Sequence, residues 1–320
     1  MNGITREEVR GLAIGVVLVA LAAALPLFDK GFYLSISVNI MLYAALCTAW
    51  ALFSGPTHYV SLATAAFYGL GTYSVGLGID ILPFPVLLAI AAAAGAVLAG
   101  LVGAATLRIS GVYFVIFTFG LAELVRQVVT WTQTKLATAM GLYVFTDFTE
   151  SHIYWMLLAL AASVFLTGWA INRSRLGFAM QIIGNDETVA RHVGIDTARS
   201  KILLFMISGA FIAVAGAIMA PRYSYIEPPA AFNPMISFLV VIMALLGGTK
   251  RLWGPLVGVI PFTIVMDIIS SQFPNHTSIV MGLAFLTIVY FIPNGVTGLI
   301  EQARDRWRRP AAAVGEEKTA

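Results

Sequence analysis

One short stretch of the sequence concentrates side chains that could do chemistry. Residues 183–196, "IGNDETVARHVGID", bring several carboxylates together with an arginine and a histidine in a chain that is 59% hydrophobic and only 11% charged. A typical soluble domain is roughly 25% charged. No nucleophile elbow and no paired-carboxylate site accompanies this polar island. Its residues alone fit a plain connecting segment and a docking element equally well. The ionisable residues of the stretch are Asp186, Glu187, Arg191, His192 and Asp196.

A second candidate pair lies inside an apolar run. Glu123 and Arg126 are three residues apart, so on a helix they share one face. Ionisable groups at the centre of a membrane cost roughly 2.5 kcal/mol or more each, and these two should therefore pair with each other or face a polar cavity. A zwitterionic substrate would offer a carboxylate to Arg126 and an ammonium to Glu123. The alternative is a structural ion pair near the outer end of the helix, with Arg126 reaching toward the interface.

The sequence encodes no familiar nucleotide or metal site. It contains no G-x-x-x-x-G-K-[ST] motif, and "GGTK" at 247–250 lacks the required spacing. The four histidines are scattered without metal-ligand spacing, and the single Cys47 excludes a disulfide framework and a cysteine-based zinc site. We therefore predict no cofactor or metal in this chain, and any ATP would be bound by partner subunits.

The elements that position these residues are apolar helices. A chain with so few charges cannot cover itself with a charged surface, so most of its solvent must be lipid, and the fold class is an all-α polytopic membrane protein. About ten membrane spans (eight to ten) are expected, at residues 11–28, 32–53, 59–79, 83–107, 111–131, 152–171, 201–221, 232–247, 252–271 and 277–293. Among these spans, 59–79 and 252–271 are the weakest assignments and are candidates for broken or re-entrant segments.

Charge counting orients these spans. With the N-terminus in the cytoplasm and ten alternating spans, 15 of the 19 Lys and Arg residues fall in cytoplasmic segments, three fall outside and Arg126 lies within a span. This distribution follows the positive-inside rule and predicts that both termini are cytoplasmic. It also fits the basic pI near 9.0 without any nucleic-acid partner. We expect one transmembrane domain over residues 1–300 and a basic, disordered cytoplasmic tail over 301–320.

The predicted cytoplasmic loop 172–200 contains the polar island, and its residue order specifies a short helix. Asn185 or Asp186 is a suitable N-cap, and Asp186 and Glu187 place negative charge at the positive end of the helix dipole. Gly194 suits the left-handed position that follows a helix end. A helix of about two turns is too short to be stable alone, so we expect it to lie on a surface.

Six stretches in order resemble one family, the LivM-like inner-membrane permeases of branched-chain amino acid ABC importers. Glu187, Ala190 and Gly194 stand where the family's cytoplasmic loop has a glutamate, an alanine and a glycine, while Val189 replaces a second alanine. The stretches that carry the resemblance are "RLGFAMQIIGNDETVARHVGID", "KILLFMISGAFIAVAGA", "SLATAAFYGLGTY", "LRISGVYFVIFTFGLAELVRQVV", "LLGGTKRLWGPLVGVI" and "YFIPNGVTGLI".

The resemblance implies a permease subunit without its own ATPase site. Asp186, Glu187, Ala190 and Gly194 would belong to a coupling helix that docks into one of two ATP-binding cassette subunits. The other implied partners are a second, LivH-like permease, a periplasmic substrate-binding protein and the lipid bilayer of the bacterial inner membrane. Because the binding protein delivers the substrate, we favour the structural interpretation of Glu123 and Arg126 over a substrate pathway.

The resemblance implies a branched-chain or related hydrophobic amino acid as cargo. The sequence departs from the family at two places, with a single Gly141 in "TKLATAMGLYV" and with Lys250-Arg251 before "LWGP". The first lies on the face where a binding protein would dock, so it bears on the cargo more than on the transport class. Urea, short amides and aromatic acids remain alternatives within this class. An ion-gradient-driven secondary transporter and a non-transporting membrane scaffold are the alternatives outside it.

Overall fold

The chain forms a bundle of apolar helices with one small ribbon at an end. The computed structural model describes residues 31–106, 111–136, 141–249 and 251–273, with single positions and short pieces of 15–27 and 276–298. The elements are α1 (Phe32–Thr57), α2 (Thr64–Gly78), α3 (Phe84–Thr106), α4 (Val112–Leu136), β1 (Leu142–Tyr143), α5 (Glu150–Asn172), α6 (Arg175–Asn185), α7 (Glu187–His192), α8 (Thr197–Met219), β2 (Tyr225–Ile226), α9 (Pro228–Ala231), α10 (Pro234–Gly247) and α11 (Gly254–Gln272).

Helices dominate, as the sequence predicts, and the described residues include seven that are long and apolar enough to cross a membrane. These seven coincide with spans predicted from composition. Residues 19–27 are also helical, within the first predicted span. Most of the predicted span 277–293 and the whole tail 301–320 lie outside the described residues, so the count of ten spans and the orientation of the termini stay predictions.

The two uncertain spans turn out differently. Segment 252–271 is one continuous helix, α11, from Gly254 onward, even though Pro261 lies inside it. Segment 59–79 instead begins with irregular backbone and continues as α2, which has only 15 residues. At about 1.5 Å per residue, α2 is roughly 22 Å long, less than the ~30 Å of a hydrocarbon core.

Residues 61–63 of the irregular backbone before α2 are buried in protein, which explains why this stretch is tolerated. Unpaired backbone groups are costly away from water, and here side chains from three other helices satisfy them. Trp50 Nε1 donates to the Ser61 carbonyl oxygen at 2.8 Å. Thr118 Oγ1 accepts from the Leu62 N–H at 3.1 Å. Ser237 Oγ accepts from the Ala65 N–H at 2.9 Å and donates to the Leu62 carbonyl oxygen at 2.8 Å.

Close helix packing, rather than a pore lining, accounts for the glycines of α2. A Cβ atom added to Gly71 would overlap the Ala213 carbonyl of α8, and one added to Gly216 would overlap the Tyr68 carbonyl of α2. The same crossing carries a hydrogen bond from Thr72 Oγ1 to the Gly216 carbonyl oxygen at 3.1 Å. Small residues therefore let α2 and α8 approach backbone to backbone, and α2 lies in the centre of the bundle.

The bundle has two distinct ends. At one end, which we call the α7 end, the last turn of α1 meets the 172–200 loop, since Gly184 packs on the Pro56 carbonyl and Gly55 on Thr249. At the other, the ribbon end, Leu142 pairs with Ile226 and Tyr143 with Tyr225 in a two-residue antiparallel ribbon that the sequence did not predict. The predicted cytoplasmic loop 172–200 and residues 248–249 of the next predicted cytoplasmic segment share the α7 end.

Candidate functional site

The polar island forms two helices joined at one residue. α6 ends at Asn185 and α7 starts at Glu187, so Asp186 is both the C-cap of the first and the N-cap of the second. Its Oδ1 accepts hydrogen bonds from the Thr188 N–H at 2.7 Å and the Val189 N–H at 3.2 Å. These two backbone donors, with the Val189 contribution the larger, lower the pKa of Asp186 below its ordinary value. Of the two N-caps expected, Asp186 is the one used.

The end of α7 follows the predicted pattern closely. Gly194 has φ +83°, the left-handed conformation that glycine adopts without strain. The Gly194 N–H bonds the Arg191 carbonyl oxygen at 3.1 Å, and the Ile195 N–H bonds the Ala190 carbonyl oxygen at 3.0 Å. This pair of bonds is the Schellman motif. It closes the helix after six residues, slightly less than the two turns expected.

One face of α7 packs against the rest of the protein, and the other face is exposed. Ala190 is 0% exposed, so α7 packs against the protein through this residue, whereas Val189 and Val193 are 51% and 63% exposed. Phe178 of α6 is also an exposed large apolar side chain. The α7 end therefore carries apolar side chains in solvent-accessible positions next to the charges of the polar island.

A buried cation fixes α7 to the transmembrane helix α8. Lys201, in the first turns of α8, has a side chain only 1% exposed, and its Nζ lies 2.9 Å from Glu187 Oε2 and 3.0 Å from Oε1. Thr197 Oγ1 also donates to Glu187 Oε1 at 3.2 Å. On its other side, the Lys201 ammonium lies 3.3 Å from the Tyr59 hydroxyl and 4.8 Å from the centre of that ring.

Glu187 is ionised in this setting. Burial opposes its charge, but hydrogen bonds from Arg191 and Lys201 and the charge of Lys201 outweigh that effect, so the pKa of Glu187 lies below its ordinary value. The sequence did not predict the roles of Lys201 and Tyr59. It identified Lys201 only as one more cytoplasmic positive charge. A lysine near the start of a strongly apolar helix was the only signal available for it.

Glu123 and Arg126 form the ion pair that their spacing predicts, and Gln127 Nε2 also donates to Glu123 Oε1 at 2.9 Å. The placement near the outer end of the helix is wrong, because Glu123 lies about 17 Å from the start of the 25-residue α4, near its middle. The two side chains are 37% and 26% exposed on the outer surface of the chain. They do not meet Glu187 or Asp186.

Comparison with known proteins places the chain among transport permeases. The family model for the permease component of the branched-chain amino acid transport system matches residues 32–291. The LivM permease protein of the high-affinity branched-chain amino acid transport system of Escherichia coli K12 is 25% identical over 94% of this chain and 78% of its own length. The LivH permease protein of the same organism is 30% identical over 44% of each chain. The L-arabinose permease protein AraH is 28% identical over 47% of this chain and 44% of its own.

Proposed function

The chain belongs to the family of branched-chain amino acid transport permease components and is a multi-pass inner-membrane protein, and from this premise we propose that it is the permease subunit of an ATP-driven importer. Its proposed cargo is a branched-chain or related hydrophobic amino acid. A relative that aligns over most of this chain is named for that transport, which supports the choice of cargo.

The observation that carries the proposal is the connection between α7 and α8. A six-residue helix cannot hold its own shape or position in water. Here it is closed at both ends by caps, seated by Ala190 and joined to α8 by the buried Lys201–Glu187 pair. A force applied to the exposed face of α7 is therefore transmitted directly to a membrane-spanning helix.

In the proposed mechanism, α7 is the coupling helix. Two separate ATP-binding cassette subunits bind ATP, and one of them contacts the face that presents Val189 and Val193. Closure of the ATPases moves α7 with α8 and switches the bundle between outward and inward access. A periplasmic binding protein delivers the solute at the ribbon end, and a second, LivH-like permease completes the membrane part.

A matched pair of glycine variants tests the role of α7. Gly194 and Gly111 both have positive φ, +83° and +67°, and an added Cβ at either would meet nothing within 4 Å. Alanine should cost about 1–2 kcal/mol of backbone strain at each, but only Gly194→Ala disturbs the end of α7. In the reconstituted complex, we expect Gly194→Ala to lower uptake per ATP hydrolysed several-fold and Gly111→Ala to leave that ratio unchanged.

Two further measurements bound the proposal. Equal uptake per ATP in both alanine variants would contradict the coupling role of α7. The purified chain alone should hydrolyse no ATP, since we place the nucleotide on partner subunits, and ATPase activity that follows this chain through purification would overturn that division. Uptake driven by an ion gradient without ATP would support the secondary-transport alternative instead.

A further inference from the structure

A cavity near the ribbon end has the chemistry of a solute site. It measures about 260 Å³ and lies between α1, α10 and α11. Pockets that hold drug-sized ligands are usually about 300–1,000 Å³, so this one suits a smaller molecule. Its lining residues are Asn39, Tyr43, Met235, Leu239, Met243, Thr263, Met266, Asp267 and Ser270.

The polar and apolar sides of this cavity come from different helices. Thr263, Asp267 and Ser270 are spaced four and three residues apart, so they form one polar stripe along α11. On α10, the cavity residues at spacings of four are Met235, Leu239 and Met243, which form an apolar wall. The cavity is therefore amphipathic, with polar groups facing an adaptable, methionine-rich surface.

Two of the polar groups lack a partner of their own. Thr263 is only 5% exposed, and its hydroxyl makes no hydrogen bond to any described residue. Buried hydroxyls are nearly always hydrogen-bonded, so an unsatisfied one needs an explanation. Among the ion pairs of the described residues, none includes Asp267, although it lies in a helix that is long and apolar enough to cross the membrane.

Asn39 adds a donor to the opposite wall. Its Oδ1 accepts a hydrogen bond from Arg222 at 2.8 Å, and Arg222 also pairs with Glu150. With its oxygen engaged in this way, the side-chain amide keeps its N–H groups for another acceptor. A carboxylate in the cavity could accept from Asn39 and the Tyr43 hydroxyl, while an ammonium would face Asp267.

The cavity reaches from the ribbon end toward the middle of the bundle. At about 1.5 Å per residue, Ser270 lies roughly 3 Å and Thr263 roughly 14 Å from the end of α11. A solute that arrives at the ribbon end would meet Ser270 and Asp267 first and Thr263 last.

We propose that this cavity binds a small zwitterion with a short apolar side chain, whose ammonium pairs with Asp267 while its side chain packs on Met235, Leu239 and Met243. The assignment rests on the proposed function, because it takes the imported amino acid as the ligand. It differs from a substrate pathway through Glu123 and Arg126, neither of which lines the cavity.

Charge-selective thiol labelling tests the site in the complete complex. The only native cysteine, Cys47, is fully buried, so Ser270→Cys introduces the one exposed thiol of this chain. The matched control is Ser271→Cys, at the same depth but on another face of α11. Each variant is treated with a cationic and an anionic methanethiosulfonate reagent, and modification of this chain is followed by mass spectrometry.

We expect the cation-to-anion rate ratio at Ser270→Cys to exceed that at Ser271→Cys by about tenfold, the effect of one charge a few ångströms away in a partly hydrated site. Adding Asp267→Asn should remove this excess, and L-leucine as the probe should slow labelling at Ser270→Cys only. A ratio that ignores Asp267→Asn, no labelling of Ser270→Cys, or no protection by leucine would overturn the assignment.

The same preparation separates this inference from the proposed function. If the wild-type complex takes up leucine with ATP but the labelling results fail, only the cavity assignment is lost. If the complex shows no ATP-driven uptake, the proposed function fails, whatever charge preference the cavity shows.

Discussion

Two carboxylate–cation pairs, Glu123–Arg126 and Glu187–Lys201, are built in opposite ways. The first joins residues three apart on one helix, and both side chains remain partly exposed. The second joins residues of different helices that lie 14 apart in sequence, and its lysine is only 1% exposed. One pair is a property of a single turn of helix, whereas the other exists only because α7 folds back onto α8.

This difference decides which pair could transmit a movement from one helix to another. Both charges of Glu123–Arg126 travel on α4, so the pair stays the same when α4 moves as a rigid body. Glu187–Lys201 links a short surface helix to a membrane helix, so a displacement of α7 must either carry α8 with it or break the pair. The sequence alone pointed to the pair near the middle of α4, but the pair at the α7 end has the geometry that the proposed coupling requires.

The largest expected effect comes from removing the carboxylate of the tertiary pair. Glu187→Gln leaves the buried Lys201 ammonium without its counter-charge, and breaking a buried pair from one side typically costs about 3–5 kcal/mol. Since Glu187 is partly exposed, we expect a value near the lower end. The thermal unfolding midpoint of the purified chain in detergent should fall, and Lys201→Met, which leaves only an accessible carboxylate, should lower it less.

Arg191 provides the control for that prediction. It forms an i,i+4 pair with the same Glu187 at 2.8 Å, but its side chain is 67% exposed. Such surface pairs contribute only about 0.3–0.5 kcal/mol, so Arg191→Met should hardly shift the midpoint. The double variant Glu187→Gln with Lys201→Met should recover part of the loss. A Glu187→Gln variant that is no less stable than Arg191→Met would show that the Glu187–Lys201 pair contributes no more stability than the exposed Glu187–Arg191 pair.

The contrast between the pairs also explains what the sequence could predict. Helices, caps and the Glu123–Arg126 contact depend on neighbours within about four residues, and those expectations for Asp186 and Gly194 were confirmed. The sequence marked 59–79 as a candidate broken segment, and the backbone before α2 is indeed irregular. Tertiary folding, however, makes the contacts that satisfy this backbone, the ribbon of Leu142 and Ile226, and the contact of Tyr59 with Lys201. No local spacing rule reports such contacts, so the sequence did not reveal them.

The Glu123–Arg126 pair should tolerate a reversal of its two charges better than the loss of either charge. Changing Glu123 to Gln or Arg126 to Gln leaves one charge near the middle of α4, at a cost of up to about 2.5–3.5 kcal/mol by insertion scales. Reversing both, Glu123→Arg with Arg126→Glu, keeps the pair on the same helix face. We expect the double reversal to insert and to support uptake better than either single change.

Expression level in the membrane and uptake per copy are the measurements for this comparison. If the double reversal is no better than the singles, Glu123 and Arg126 do more than neutralise each other, and one of them contacts a group outside this chain. The equivalent reversal of Glu187 and Lys201 should fail, because it would place a carboxylate in the buried position beside Tyr59. Equal tolerance of the two reversals would remove the distinction between a local and a tertiary pair.

Lowering the pH should weaken the Glu187–Lys201 pair, because it protonates Glu187. This is the smallest effect that we expect. The folded-state pKa of Glu187 is lowered from its ordinary 4.5, so the unfolded chain binds its proton first as the pH falls. The stabilisation is therefore complete at neutral pH, and it is lost as the pH drops below about 4.5 and through the lowered pKa.

The matching measurement is the difference in unfolding midpoint between the wild-type chain and Glu187→Gln as a function of pH. That difference should be constant from about pH 7 to pH 5 and then shrink, because protonated glutamic acid resembles glutamine in charge. In the Lys201→Met background the same difference should be small at every pH, since Glu187 there has lost its buried partner. A difference that persists undiminished below the lowered pKa would mean that Glu187 stabilises α7 by packing, and that its charge on Lys201 contributes little to holding α7 on α8.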